Sequence, residues 1–222
     1  MVNESDKKTT RQKILYNAIK LFADKGYTET SVRELAAASG IKEASLYYHF
    51  PSKNHILEEI LDEYSKFTQS TFSKEKLLSA IKRSPNAEGI LSSITLVFPK
   101  GKEKYYLQML YVMFQEQHRN PTIGKFMSRH YILGNEQIIR NVIDSLKELG
   151  IIRRDTDPDF WVKVHSSLLY AYASRHMLGI GDGVVGIETE YSGMTMPEIL
   201  RFLYDLLIKL YGTATAPTDI TE

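Results

Sequence analysis

The chain has 222 residues, a formal net charge of +1, 43% apolar and 25% charged residues, and no cysteine. That balance excludes wholesale disorder, and the missing thiols exclude a disulfide framework, an iron–sulfur cluster, a thiolate zinc site and a cysteine nucleophile. The opening MVNESDKKTTRQ has no apolar signal-peptide core, and stretches such as residues 90–98 fall far below the roughly 20 residues that cross a bilayer. The expectation is a soluble, cytoplasmic protein without a membrane partner. Charge is unevenly placed: residues 1–53 carry +3 and the remainder −2, so an anionic partner is expected at the N-terminal end.

The periodicity is helical nearly throughout. Ile14, Leu15, Ala18, Ile19 and Phe22 share one face of an amphipathic helix that should stop near Lys25, with Gly26 as a left-handed cap. Ser31-Val-Arg-Glu34 reads as a capping box opening a short helix that Gly40 closes. A second short helix over KEASLYYHF must end before Pro51. Ser52 then caps a longer helix with Ile56, Leu57, Ile60, Leu61, Tyr64 and Phe67 on one face. Two short helices around a Gly-containing turn, packed on a preceding helix, make a helix-turn-helix unit. Further helices are predicted near 75–83, 88–97, 101–118, 122–130, 133–149, 158–178 and 196–211, several ending at a glycine such as Gly150, Gly179 or Gly212. The last ten residues, TATAPTDITE, read as a disordered tail. The fold class is all-α, with residues 1–53 as the helix-turn-helix domain, 54–212 as a helical body and 213–222 as the tail.

In a helix-turn-helix the second helix enters the major groove with its N-terminal residues on base edges. Here those are Lys42, Glu43, Ala44 and Ser45. Ile41, Leu46 and Phe50 are spaced to face inward, leaving Tyr47, Tyr48 and His49 outside or at the edge. Tyr47, Tyr48 and Lys53 suit phosphate contacts, Ser31 offers a hydroxyl and free N–H groups, and Arg33 suits a bidentate contact to guanine. On spacing alone, solvated charges and packing tyrosines account for these residues equally well.

The stretch TSVRELAAASGIKEASLYYHFPSKNHIL resembles the signature of the TetR family of bacterial transcriptional repressors, matching at Ser31, Arg33, Ala36, Gly40, Leu46, Tyr47, Phe50 and Lys53. The resemblance covers about residues 9–57. Lys42 stands where serine is common and Ala44 where glycine or proline is frequent. The resemblance implies an omega-like homodimer that binds palindromic double-stranded operator DNA through three N-terminal helices. It also implies a body that encloses a ligand pocket, and operator release when the ligand shifts the separation of the reading heads.

Competing signals fail on context. Gly181-Asp-Gly-Val-Val-Gly186 satisfies G-x-G-x-x-G but follows a helix instead of a strand. Asp155, Asp157 and Asp159 have calcium-loop spacing, yet Pro158 interrupts them, residue 160 is Phe, and Ser166 stands where glutamate is needed; an acidic cap with Pro158 at the first helical position fits better. The six histidines form no metal-ligand pair, and there is no nucleophile elbow or P-loop. No catalytic residue, cofactor or metal is expected, and the chain does not read as an enzyme. A pure interaction module would leave the N-terminal signature unused.

The segments 158–178 and 196–211 carry more apolar surface than one stripe needs and are expected to form a four-helix homodimer interface. A small hydrophobic effector is expected in the body, against some of Tyr64, Phe67, Tyr106, Met109, Leu110, Met113, Phe114, Phe126, Tyr131 and His165. Aromatics and methionines at helical spacing are, however, more often plain core.

Overall fold

A computed structural model describes residues 4–94, 99–177 and 196–213. These form eleven α-helices and one π-helical turn, and no strand forms among the described residues. By contact the chain divides into two units, Met1–Thr68 with Phe98–Ser128 and Gln69–Val97 with Arg129–Glu222.

The first unit holds α1 (Glu4–Lys25), α2 (Val32–Ala38), α3 (Glu43–His49), most of α4 (Lys53–Thr71), α7 (Glu103–Glu116) and α8 (Pro121–Phe126). The apolar row of α1 is buried as its period requires: Ile14, Ala18, Ile19 and Phe22 are at most 2% exposed. Leu35, Leu46, Phe50, Ile56 and Leu57 are buried to the same degree. α1 ends at Lys25, and Gly26 takes φ +89° and donates to the Phe22 carbonyl at 2.9 Å, the left-handed cap the sequence calls for.

The second unit holds α5 (Lys74–Arg83), α6 (Ala87–Ile94), α9 (Leu133–Glu148), α10 (Pro158–Met177) and α11 (Met196–Tyr211). Its core joins Leu77, Ile81, Ile90, Val142, Ile143, Leu146, Trp161, Val162 and Leu207. α10 begins at Pro158, whose missing N–H costs nothing there, and Asp157 accepts from the Asp159 N–H at 2.9 Å. Past α9, Ile152 bridges Gly212, and the Thr213 N–H donates to the Ile151 carbonyl at 3.1 Å, fastening the end of α11.

One expectation shifts, and others are not reached. The break predicted after residue 130 is absent, because a π-helical turn over Met127–Ile132 joins α8 to α9 without a loop. Gly179, the glycine run at 181–186, and tail residues 214–222 lie outside the described residues.

Candidate nucleic-acid interface

α2 is opened by a reciprocal cap. The Glu34 N–H donates to Ser31 Oγ at 3.2 Å, and the Ser31 N–H donates to Glu34 Oε2 at 2.9 Å. Lys25 pairs with the same carboxylate, and together with the Ser31 donors it holds Glu34 well below the usual carboxylate range, at about 2. Both polar groups of Ser31 are thus engaged by an anion of the chain's own, which is where the sequence suggested a phosphate.

The turn from α2 to α3 is closed by backbone alone. Gly40 N–H donates to Ala37 O and Ile41 N–H to Ala36 O, both at 3.0 Å, with Gly40 at φ +67°. Asn17 on α1 steadies this corner by donating to the Ala38 carbonyl at 3.1 Å. α3 then starts at Glu43 with Lys42 as a cap that makes no side-chain cap bond.

Leu46 and Phe50 are both fully buried and hold α3 to its scaffold. The opposite row, Lys42, Glu43, Ala44, Ser45, Tyr47 and Tyr48, is exposed, with Tyr47 at 47% and Tyr48 at 66%. Arg33 on α2 is also exposed, and among the described residues neither Arg33 nor Lys42 makes an ion pair. Seven of the expected contact residues are therefore exposed on α2 and α3 or at the residue that precedes α3.

Three of the expected residues sit otherwise. His49 is buried, not at the edge, because it lies three residues after Leu46 and one before Phe50, on their inward row. Lys53 turns back to the chain: its Nζ donates to the carbonyls of Tyr27 at 2.8 Å, Thr30 at 2.9 Å and Thr28 at 3.3 Å, and lies 4.3 Å from the Tyr27 ring. Partial burial pulls its ammonium pKa down, against the opposing pull of Glu116 and Glu29. Ser31 is the third, taken up by its capping box.

Two residues that frame the unit escape sequence reasoning. Arg11 donates to the His49 carbonyl at 2.6 Å, pairs with Glu59, and lies 4.2 Å above the Phe50 ring, so one side chain ties α1 to the end of α3 and to α4. Glu116 on α7 is 6% exposed and accepts from the Tyr27 N–H at 3.0 Å. Its signal is a carboxylate one turn beyond Val112 and Met113 on a buried face. A Cβ at Gly26 would stand 3.2 Å from Glu116 Oε1, so the turn after α1 is pressed against this carboxylate.

The expected ligand residues separate by unit. Tyr64, Tyr106, Met109, Leu110, Met113, Phe114 and Phe126 are buried in the first unit, with Phe67 half-buried and stacked on Tyr106 at 4.2 Å. Tyr131 and His165 belong to the second, where His165 is buried 6.0 Å from the Tyr204 ring. Among the described residues no cluster of His, Asp or Glu could hold a metal, and no helix is long and apolar enough to cross a membrane.

Residues 14–60 match the family model of bacterial regulatory proteins of the tetR family. The biofilm operon icaADBC HTH-type negative transcriptional regulator IcaR of Staphylococcus aureus is 51% identical over 49 residues, 22% of this chain and 26% of that protein. The HTH-type transcriptional repressor KstR2 of Mycolicibacterium smegmatis is 43% identical over 54 residues, 24% of this chain and 26% of that protein. The chain thus spans about a quarter of the length of these curated relatives. Among solved structures, Salmonella enterica GusR superposes with a TM-score of 0.58 at 19% identity, over 94% of this chain and 98% of that one. A TetR family transcriptional regulator from Pseudomonas syringae pv. tomato superposes with a TM-score of 0.57 at 18% identity, over 91% and 96%. At such identities the likeness is one of fold. Residues 14–60 thus carry the sequence of the tetR-family model, and over nine-tenths of its length the chain shares the fold of these two solved structures.

Proposed function

We propose that this protein is a DNA-binding transcriptional repressor that grips a palindromic operator as a homodimer and releases it when a small hydrophobic ligand binds. The observation that carries the reading is the exposed row on α3 with the uncommitted cations Arg33 and Lys42 beside it, held in place by the buried Leu46 and Phe50. Exposed hydroxyls and cations at the start of a recognition helix can take both base edges and phosphates. In this reading Arg33, Lys42, Glu43, Ala44 and Ser45 meet the groove, and Tyr47 and Tyr48 meet the backbone. Ser31 and Lys53 act as positioning residues that fix the two ends of the Tyr27–Thr30 turn and the start of α2. The names of the two curated relatives, a negative regulator and a repressor, support repression as the sign.

Residues 1–53 serve as the reading head and 54–212 as the ligand-binding and dimerising body, with α10 and α11 as the interface. Phe160, Phe202 and Leu210 on these two helices are 55–63% exposed in the single chain, which supports a partner face there. In vitro selection of bound duplexes tests the whole reading. An enriched inverted repeat, with half-sites about one helical turn apart (roughly 34 Å), is expected; a pool with no enriched sequence would overturn it.

A further inference from the structure

Within the second unit, a cleft of about 230 Å³ lies between α10 and the first turn of α9 with the two residues before it. Tyr131, Glu136, Lys163, Ser166, Leu169 and Tyr170 are among its walls. Its volume suits a compact molecule below the size of a drug-like ligand.

The charges in the cleft are unequal in kind. The Glu136 side chain is only 14% exposed and accepts from Lys163 Nζ at 2.7 Å, whereas the Lys163 side chain is 65% exposed. Glu136 is therefore the fixed, sheltered charge and Lys163 the movable one. A lysine on a flexible stem loses little when it swings into water, because an exposed ion pair is worth little. A sheltered carboxylate left without a cation loses far more. The cleft thus demands a positive group beside Glu136, and Lys163 supplies one only from its own solvent-facing stem.

The remaining walls match that demand. Tyr131 and Tyr170 are among the lining residues, and aromatic rings attract cations over their faces. Burial, with Tyr170 adding to it, pushes the Tyr131 hydroxyl pKa up, so this wall stays neutral and repels nothing. Ser166, another wall residue, has its Oγ buried without a hydrogen bond among the described residues. An anion would face Glu136 directly.

We propose that this cleft binds a small organic ammonium ion, with Glu136 as its counter-ion, the rings of Tyr131 and Tyr170 as its walls, and Lys163 as an internal plug that the ligand displaces. The inference rests on the ligand-responsive reading above and narrows its ligand to a cation with an apolar shell.

Calorimetry on the full chain tests it, with tetramethylammonium chloride as the probe, tert-butanol as its near-isosteric neutral control, and sodium acetate as the anion. Saturable binding is expected for tetramethylammonium alone. Glu136→Gln should weaken it by at least about tenfold, while Lys163→Met should tighten it a few-fold because the internal competitor is gone. Equal binding of tert-butanol, unchanged affinity in Glu136→Gln, or weaker binding in Lys163→Met would each overturn the proposal. Operator binding by the ligand-free protein, measured in parallel, separates the two readings. A protein that holds its operator but takes no cation overturns the cleft assignment alone. One that takes the cation but binds no operator upholds the cleft and overturns the regulator reading.

Discussion

Arg11 lies off the apolar row of α1 and in sequence is one more basic residue of a basic N-terminus, yet its guanidinium is spent on the His49 carbonyl, Glu59 and the Phe50 ring. Lys53 is similarly spent on three carbonyls, and Glu116 on a backbone N–H 89 residues away. Composition counts such charges but cannot say which of them reach solvent, because their partners lie far off along the chain. Leu46, Phe50 and the exposed tyrosines, set by local spacing on one short helix, were legible; His49 fell on the wrong side of that same spacing. Replacing Glu116 by Leu strands the Tyr27 N–H in a buried turn and should cost about 1–3 kcal/mol in urea unfolding. Glu116→Gln, which keeps an acceptor oxygen, should cost clearly less. His165 gives a second test at this scale. Burial lowers its imidazole pKa to about 4, below the value near 6.5 of an exposed imidazole. As pH falls through that window the unfolded chain takes up a proton that the folded chain refuses, so stability present above pH 6.5 is progressively lost towards pH 4. Between pH 7 and pH 5 that loss should amount to about 2 kcal/mol, and His165→Phe should remove it from denaturant melts taken at the two pH values.

The helices themselves were read most directly where a cap and an apolar row agree. The Ser31 box, the Gly26 and Gly150 left-handed caps, and Pro158 at the head of α10 are local chemistry, and the structure shows each in place. Ser31→Ala should therefore cost about 1 kcal/mol of stability and loosen α2, read out by faster amide exchange in its first turn. The π-helical turn over Met127–Ile132 had no such signal. Its residues continue a helical pattern, and only the hydrogen-bond register changes. α6 carries a constraint that sequence does not display. A Cβ at Gly89 would lie 1.7 Å from the Ser84 carbonyl oxygen, so the chain entering α6 passes too close for any side chain there. Gly89→Ala is expected to shift this entry and lower the melting temperature, although alanine is the better helix former. An unchanged or higher melting temperature would contradict the close approach.

At the scale of the molecule, sequence gives a list of apolar helices without saying which apolar residues a single chain keeps for itself. Trp161 and Val162 at the head of α10 are absorbed into their own unit's core, whereas Phe160 beside them, with Phe202 and Leu210 on α11, is left in water. Much the same holds for the residues expected to line a pocket: Met109 and Met113 are 1% exposed and fill the packed interior of the first unit. On the proposed interface, Phe202→Asp should shift the sedimenting species towards 25.5 kDa at micromolar concentration, because it places a charge in an apolar contact repeated by symmetry. An unchanged species would move the partner face elsewhere. On the proposed function, the row on α3, with Arg33 and Lys42 beside it, reads DNA. Fluorescence anisotropy on a selected duplex, comparing the unmodified chain with Arg33→Ala and Lys42→Ala, tests this most directly. The expected result is a loss of about 1–3 kcal/mol in Arg33→Ala and in Lys42→Ala, each concentrated at the base position that residue reads. Unchanged affinity in both variants, each with an unaltered melting temperature, would contradict it.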